Sequence, residues 1–132
     1  MAAVRAPAVG VGRDTSYALG KDGRLTILLL GSDWRANLAG ERMDVILVMS
    51  LDPVTKRVMA ASLPRDLVVF PRARSNGGGD SGTLRVNSLY SLYRDPSLPH
   101  QKVDRAAVRK LQRDIEAALR IEIDHWALTR FK

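Results

Sequence analysis

Three short apolar runs, each closed by a turn signal, constrain this chain more than any other feature. "RLTILLLGSD" (24–33) is a leucine-rich run that stops at a glycine, and "DVILVMSLD" (44–52) is a second. "RVMAASL" (57–63) is the third. Runs of this length, rich in branched residues and bounded by Gly, Asp and Pro, are buried strands. Even the unbroken "ILLL" falls far short of the roughly 20 residues a membrane-crossing helix needs. Asp52-Pro53 opens a tight turn between the second and third runs, so these two form an antiparallel hairpin.

The rest of the chain supplies helices and a last strand. "LVVF" (67–70) reads as a short strand or strand extension, and "PRARSNGGGDSGT" (71–83) as a mobile surface loop. Val86, Leu89, Tyr90 and Tyr93 stand at helical spacing. From 103 to 119 the apolar positions Val103, Ala107, Leu111, Ile115 and Leu119 lie four apart, with Asp104 placed to cap the helix. "IEIDHWALTRF" (121–131) closes as a strand. The fold class is α/β, with a mixed, partly antiparallel central sheet and flanking helices in an α/β/α-like arrangement. It lacks the regular alternation of a Rossmann domain. Residues 1–24, rich in Gly, Ala and Pro, form a flexible lead-in, and 25–132 form one domain.

The chain has no cysteine, which excludes disulfides and cysteine-based sites. Its two histidines, His100 and His125, are too few and too far apart for a zinc site or a triad. "SNGGGDSG" lacks the Gly-Lys-Ser/Thr ending of a Walker loop, and Ser32 lacks the glycine-framed elbow of a hydrolase nucleophile. Twenty-one Lys and Arg against 14 Asp and Glu leave a net charge of +7, which calls for an anionic partner. The basic residues are spread along the chain, without the dense block usual in a nucleic-acid arm, so no nucleic-acid partner is expected.

The charged residues at the strand ends carry the chemistry. Asp33 ends the first strand, Asp44 opens the second, and Arg65 and Asp66 follow the third. If the first two strands are neighbours, the 34–43 connection brings Asp33 and Asp44 to one end of the sheet. Two carboxylates there suit Mg²⁺, which takes few protein oxygens together with phosphate oxygens. Arg35, Arg42 and Arg65 lie near that edge, and guanidinium forks bind phosphate in pairs. Aspartates beside strands are also common turn formers, and Arg–Asp neighbours are often surface pairs that add little stability. Trp34 and Trp126 read as packing residues, with a greasy ligand tail as the alternative.

Taken in order, "ILLLGSDWR", "ERMDVILVMSLDPVTKRVMAASLPRD", "LRVNSLY" and "LRIEIDHWALTRF" resemble the LytR–CpsA–Psr family from about Leu25 to the end of the chain. The resemblance rests on a Gly-x-Asp-x-Arg after a strand, an Arg-x-Asp opening the next, and Ser-Leu-Pro-Arg-Asp after the hairpin. It implies a Mg²⁺-dependent phosphotransferase that moves a glycopolymer from a polyprenyl-pyrophosphate carrier to a peptidoglycan acceptor, at the membrane surface on the extracytoplasmic face. On that resemblance Asp33 and Asp44 bind the metal, and either could act as base. Arg65 grips the diphosphate with Arg35 and Arg42, and Asp66 orders Arg65. The family's Lys-Ile-Asn stands here as Arg85-Val86-Asn87, adding Arg85 and Asn87 to the pyrophosphate site. The prenyl chain is expected between sheet and helices. The resemblance also implies a truncated domain, lacking the family's membrane anchor and its C-terminal half, with a sheet edge and apolar surface left uncovered. The alternative function is a non-catalytic binder of polyprenyl phosphates or anionic glycans.

Overall fold

The computed structural model describes residues 19–36 and 40–131. Most of the expected lead-in, residues 1–18, lies outside the described residues. β1 (Leu25–Ser32), β2 (Met43–Asp52), β3 (Arg57–Ser62) and β4 (His125–Arg130) form one sheet in the order β3-β2-β1-β4. β1 pairs antiparallel with β2, β2 antiparallel with β3, and β1 parallel with β4. The mixed sheet is therefore as expected. The hairpin turn is set by Asp52, whose Oδ1 accepts from the N–H groups of Val54 and Thr55, and Lys56 takes the left-handed conformation with φ 57°.

The parallel return from β1 to β4 needs a crossover, and the helices lie in it. A 3₁₀ turn (Val86–Ser88) leads into the one-turn helix α1 (Leu89–Tyr93), followed by α2 (Arg105–Leu119). Asp104 caps α2 as expected, accepting from the N–H groups of Ala106 and Ala107. Leu28 and Leu30 of β1, Ile46 and Val48 of β2, Leu89 and Tyr90 of α1, and Ala107, Leu111 and Ile115 of α2 form the core. The α2 stripe does not run its full expected length, because Leu119 is 37% exposed. Positions four apart advance 400° around a helix, so such a stripe drifts by about 40° at each step. By its last turn it has rotated off the core.

Among the described residues the sheet is covered on one face only. Thr26, Leu28, Leu30 and Ser32 turn towards the helices and are buried. Ile27 and Leu29, and Leu47, Met49 and Leu51 beside them, lie on the opposite face and stay half-exposed. All six residues of β3, at one edge, are exposed.

Further sequence expectations need correction, and the third run is one, since β3 is an exposed edge strand and not a buried one. "LVVF" is not a strand. Leu67, Val68 and Val69 are exposed and only Phe70 is buried. Pro64 and a turn through Arg65 and Asp66 end the ladder, and Val69 sits at φ 55°. The segment is held by scattered hydrogen bonds, from Val69 N to Gly82 O, from Val86 N to Leu67 O, and between Phe70 and Ser81, where Ser81 N donates to Phe70 O and Phe70 N to Ser81 Oγ. The glycine-bearing loop that follows is tethered instead of free. Buried Asp114 of α2 accepts from Ala73 N, Asn76 Nδ2 and Tyr93 Oη. Burial first, and then Asp114, push the Tyr93 hydroxyl up to about 12.

Candidate functional site

Asp44 reaches the end of the sheet through a β-bulge. Gly31 pairs with Val45 but Ser32 pairs with Met43, so Asp44 is the extra residue with no partner across the ladder. Strict alternation would put Asp44 on the same buried face as Ile46 and Val48. The bulge hands that place to Met43, which is fully buried, and frees Asp44 to turn aside. Arg65 arrives from the other direction. Leu63 N still donates to Ile46 O, extending the β2–β3 ladder by one bond, and the backbone carbonyl of Arg65 accepts from Asn87 N.

These two constraints let Arg65 Nη1 donate to Asp44 Oδ1 at 2.7 Å. Arg65 also lies 3.6 Å from Asp66, whose other oxygen is 3.2 Å from Arg85 Nη1. The hydrogen bond to Asp44, then the charges of Asp44 and Asp66 and more weakly of Asp33, raise the Arg65 pKa above its usual value. Asp33 is fixed on the neighbouring connection, where its Oδ1 accepts from Arg42 N and its own N–H donates to Arg42 O. The second oxygens of Asp33 and Asp44 accept no hydrogen bond among the described residues.

The fold thus gathers Asp44, Arg65, Asp66 and Arg85 into one exposed network with Asp33 nearby. Arg35 and Arg42 are exposed on the connection, and their side chains make no hydrogen bond or ion pair among the described residues. Asn87 is buried, and its backbone N–H, holding Arg65, is what it brings to the network. Among the described residues no three His, Cys, Asp or Glu converge on a metal position.

A second arginine–carboxylate cluster lies at the same end of the sheet, and no sequence signal pointed to it. Arg130, the last residue of β4, donates from Nε and Nη2 to the two oxygens of Glu41, each at 2.9 Å. Glu41 is 1% exposed and also accepts from Ser32 Oγ. The hydrogen bond to Glu41 raises the Arg130 pKa. Trp34 covers the guanidinium, with 5.1 Å from Cζ to the ring centre, and donates from Nε1 to His100 O. Trp34 is therefore a packing residue. The cluster ties the connection carrying Asp33 and Arg42 to β4.

On the helix side, next to the exposed strand β3, a largely apolar trough of about 500 Å³ runs between sheet and helix. Val48, Met59 and Ala61 line one side and Leu119 and Ile121 the other, with Arg24 at its rim. Its walls come from the β1 start, the middle of β3 and the α2 end, so it lies towards the far end of the sheet from Asp44 and Arg65. Among the described residues no helix is long and apolar enough to cross a membrane.

The LytR_cpsA_psr family model matches residues 8–132. No curated protein sequence matches the chain. Among solved structures, protein gbs0355 from Streptococcus agalactiae is similar at a TM-score of 0.60 and 17% identity, over 89% of this chain. TagV of B. subtilis is similar at 0.55 and 23%, over 84%. YwtF (TagT), a LytR-CPS2A-psr family protein solved with bound octaprenyl pyrophosphate lipid, is similar at 0.57 and 17%, over 89%. In each case the chain spans 37% of the length of the structure it matches.

Proposed function

The chain belongs to the LytR_cpsA_psr family, and from that premise we propose that it carries the diphosphate-gripping part of a cell-wall phosphotransferase. The substrate is a glycopolymer linked to a polyprenyl pyrophosphate, and the acceptor is peptidoglycan. The single observation that carries this reading is the exposed Arg65–Asp44 pair at 2.7 Å. A guanidinium held at its post by a carboxylate and still open to solvent can trade one oxyanion for another. A diphosphate arriving there meets Arg65 and Arg85, with Arg35 and Arg42 on the adjoining connection. The prenyl chain then runs along the helix side of the sheet to the apolar trough. Support for such a ligand comes from the octaprenyl pyrophosphate lipid bound to YwtF.

The uncommitted oxygens of Asp33 and Asp44 fit Mg²⁺, an ion that takes one or two carboxylates and fills its shell with water and phosphate oxygens. When bound, the ion would neutralise diphosphate charge. In the transfer, an acceptor sugar hydroxyl attacks the phosphorus nearer the glycan. A bond forms between them as the bond from that phosphorus to the bridging oxygen breaks. Polyprenyl phosphate leaves, and the hydroxyl proton passes to Asp33 or Asp44. Arg65 and Arg85 stabilise the charge that grows on the leaving phosphate. The work is done at the extracytoplasmic membrane surface.

Calorimetric titration with farnesyl diphosphate, with and without Mg²⁺, tests the reading. Losing a charge-assisted hydrogen bond in Arg65→Ala is expected to weaken binding about ten- to hundredfold. Unchanged affinity removes Arg65 from the site. Full binding without Mg²⁺, together with no glycan transfer by the intact protein, favours a non-catalytic binder of polyprenyl phosphates.

A further inference from the structure

Helix α2 presents a feature that the strand-end site does not use. Arg105, Arg109 and Arg113 stand four apart on it and are all exposed. None has a hydrogen bond or an ion pair among the described residues. Like charges at this spacing repel one another along a helix, and the one acidic residue at helix-neighbour spacing from the row is Glu116, three after Arg113. Consecutive rungs are about 6 Å apart along the axis. Arg109 and Arg113 also form the wall of a polar cavity of about 410 Å³, whose other side is β4 with His125 and Trp126. The cavity's two carboxylates have hydrogen-bond partners in its own wall and the adjoining backbone and form no ion pair with the arginines. Glu116 accepts from Gln112 Nε2 and Ile123 N, and Asp124 accepts from Thr26 N.

α2 runs antiparallel to β4, so Arg105 lies towards the end of the sheet that carries the strand-end site and Arg113 farther from that end. The row therefore leads away from that end along the β4 edge of the sheet, opposite the β3 edge where the apolar trough lies. We propose that this arginine row and the polar cavity beneath it form a second anion site, which holds a linear polymer of repeated phosphates. Its identification as the phosphate-bearing glycan of the substrate rests on the function proposed above. Charge complementarity selects the polyanion, and the cavity selects a chain lying in a groove over a flat lipid surface. Exposed apolar residues that would wedge into a bilayer are missing from the row itself, where Ala106 and Ala117 are the neighbours.

The test uses poly(glycerol phosphate), a single DNA strand of equal charge, and phosphatidylglycerol vesicles as probes, with binding followed against salt. Three contacts predict a logarithmic salt slope of about −2, or roughly a 20-fold loss of affinity between about 50 and 200 mM salt. In R105Q/R109Q/R113Q that slope should collapse and affinity for poly(glycerol phosphate) should fall at least as far. The variant with lysine at all three positions should keep most of both, which controls for folding. Arg65→Ala should leave this binding unchanged while losing farnesyl diphosphate. Loss of poly(glycerol phosphate) in Arg65→Ala, or no loss in the triple glutamine variant, overturns the proposal. So does tighter binding of DNA, or binding of the vesicles alone. Failure of farnesyl diphosphate to bind, with poly(glycerol phosphate) still held by the row, would sink the lipid reading and leave this one standing.

Discussion

Two hydrogen-bonded arginine–carboxylate pairs sit at one end of this sheet, and they differ in almost everything except their chemistry. Arg65 and Asp44 share one hydrogen bond and keep 54% and 25% of their side-chain surface in solvent. Arg130 and Glu41 share two, and keep 18% and 1%. The exposed pair lies on a turn behind a proline and can exchange its partner. The buried pair is roofed by Trp34 and shared with Ser32, so separating it would strand a charge out of water. Solvent access, more than the identity of the ions, divides a pair open to a ligand from a structural one.

The comparison is most directly broken by Glu41→Gln. Leaving the Arg130 guanidinium without its counter-charge should cost about 3–5 kcal/mol, read from the urea midpoint. A loss no larger than that of a surface variant would erase the distinction between the pairs. Asp104 sharpens it, being buried yet paired with backbone alone. Burial pushes its pKa up, but the N–H groups of Asp95, Ala107 and Ala106 outweigh that and hold it below the ordinary value. A carboxyl depressed in the folded state gives stability that is full above its unfolded pKa of about 3.9 and is lost as pH falls through the lower folded value. Asp104→Ala should cost about 1 kcal/mol at neutral pH and flatten the acid limb of the stability profile. An unchanged acid limb would show that Asp104 titrates alike in both states. The smallest effect belongs to Asp44→Asn. It should leave the urea midpoint nearly unmoved and any residual shift should vanish in high salt, since exposed charges are screened.

The sequence made some of this legible and hid the rest for physical reasons. Short strands and a strong Asp-Pro turn placed Asp33, Asp44 and Arg65 at one sheet end, because strand ends follow from where apolar runs stop. The α2 helix and its Asp104 cap followed from local spacing. The bulge at Asp44 could not be read, since alternation shows a slip only once the partner strand's register is known. The Glu41–Arg130 pair spans 89 positions, and neither residue carries a local mark of burial. "LVVF" misled because four apolar residues suit a strand equally well whether or not hydrogen-bond partners lie alongside. Here they lie alongside at scattered points and form no ladder. Asp114 likewise gave no hint that the glycine loop above it would be tied down.

The parallel pairing of β1 with β4 bears on the order in which the molecule comes together. The β2–β3 hairpin and the α2 helix close over short stretches of chain, whereas β4 must find β1 after everything between them has been laid down. Contacts so distant in sequence are the slow ones to form. Until β4 docks, Glu41 has no Arg130 to meet, and the connection bearing Asp33 and Arg42 lacks its fastening. The strand-end cluster is thus assembled from an early part, the β1–β2–β3 meander that brings Asp33, Asp44 and Arg65 together, and a late part, β4, whose Arg130 fastens the connection through Glu41. A ribosome releasing this chain would deliver the grip before the frame that steadies it.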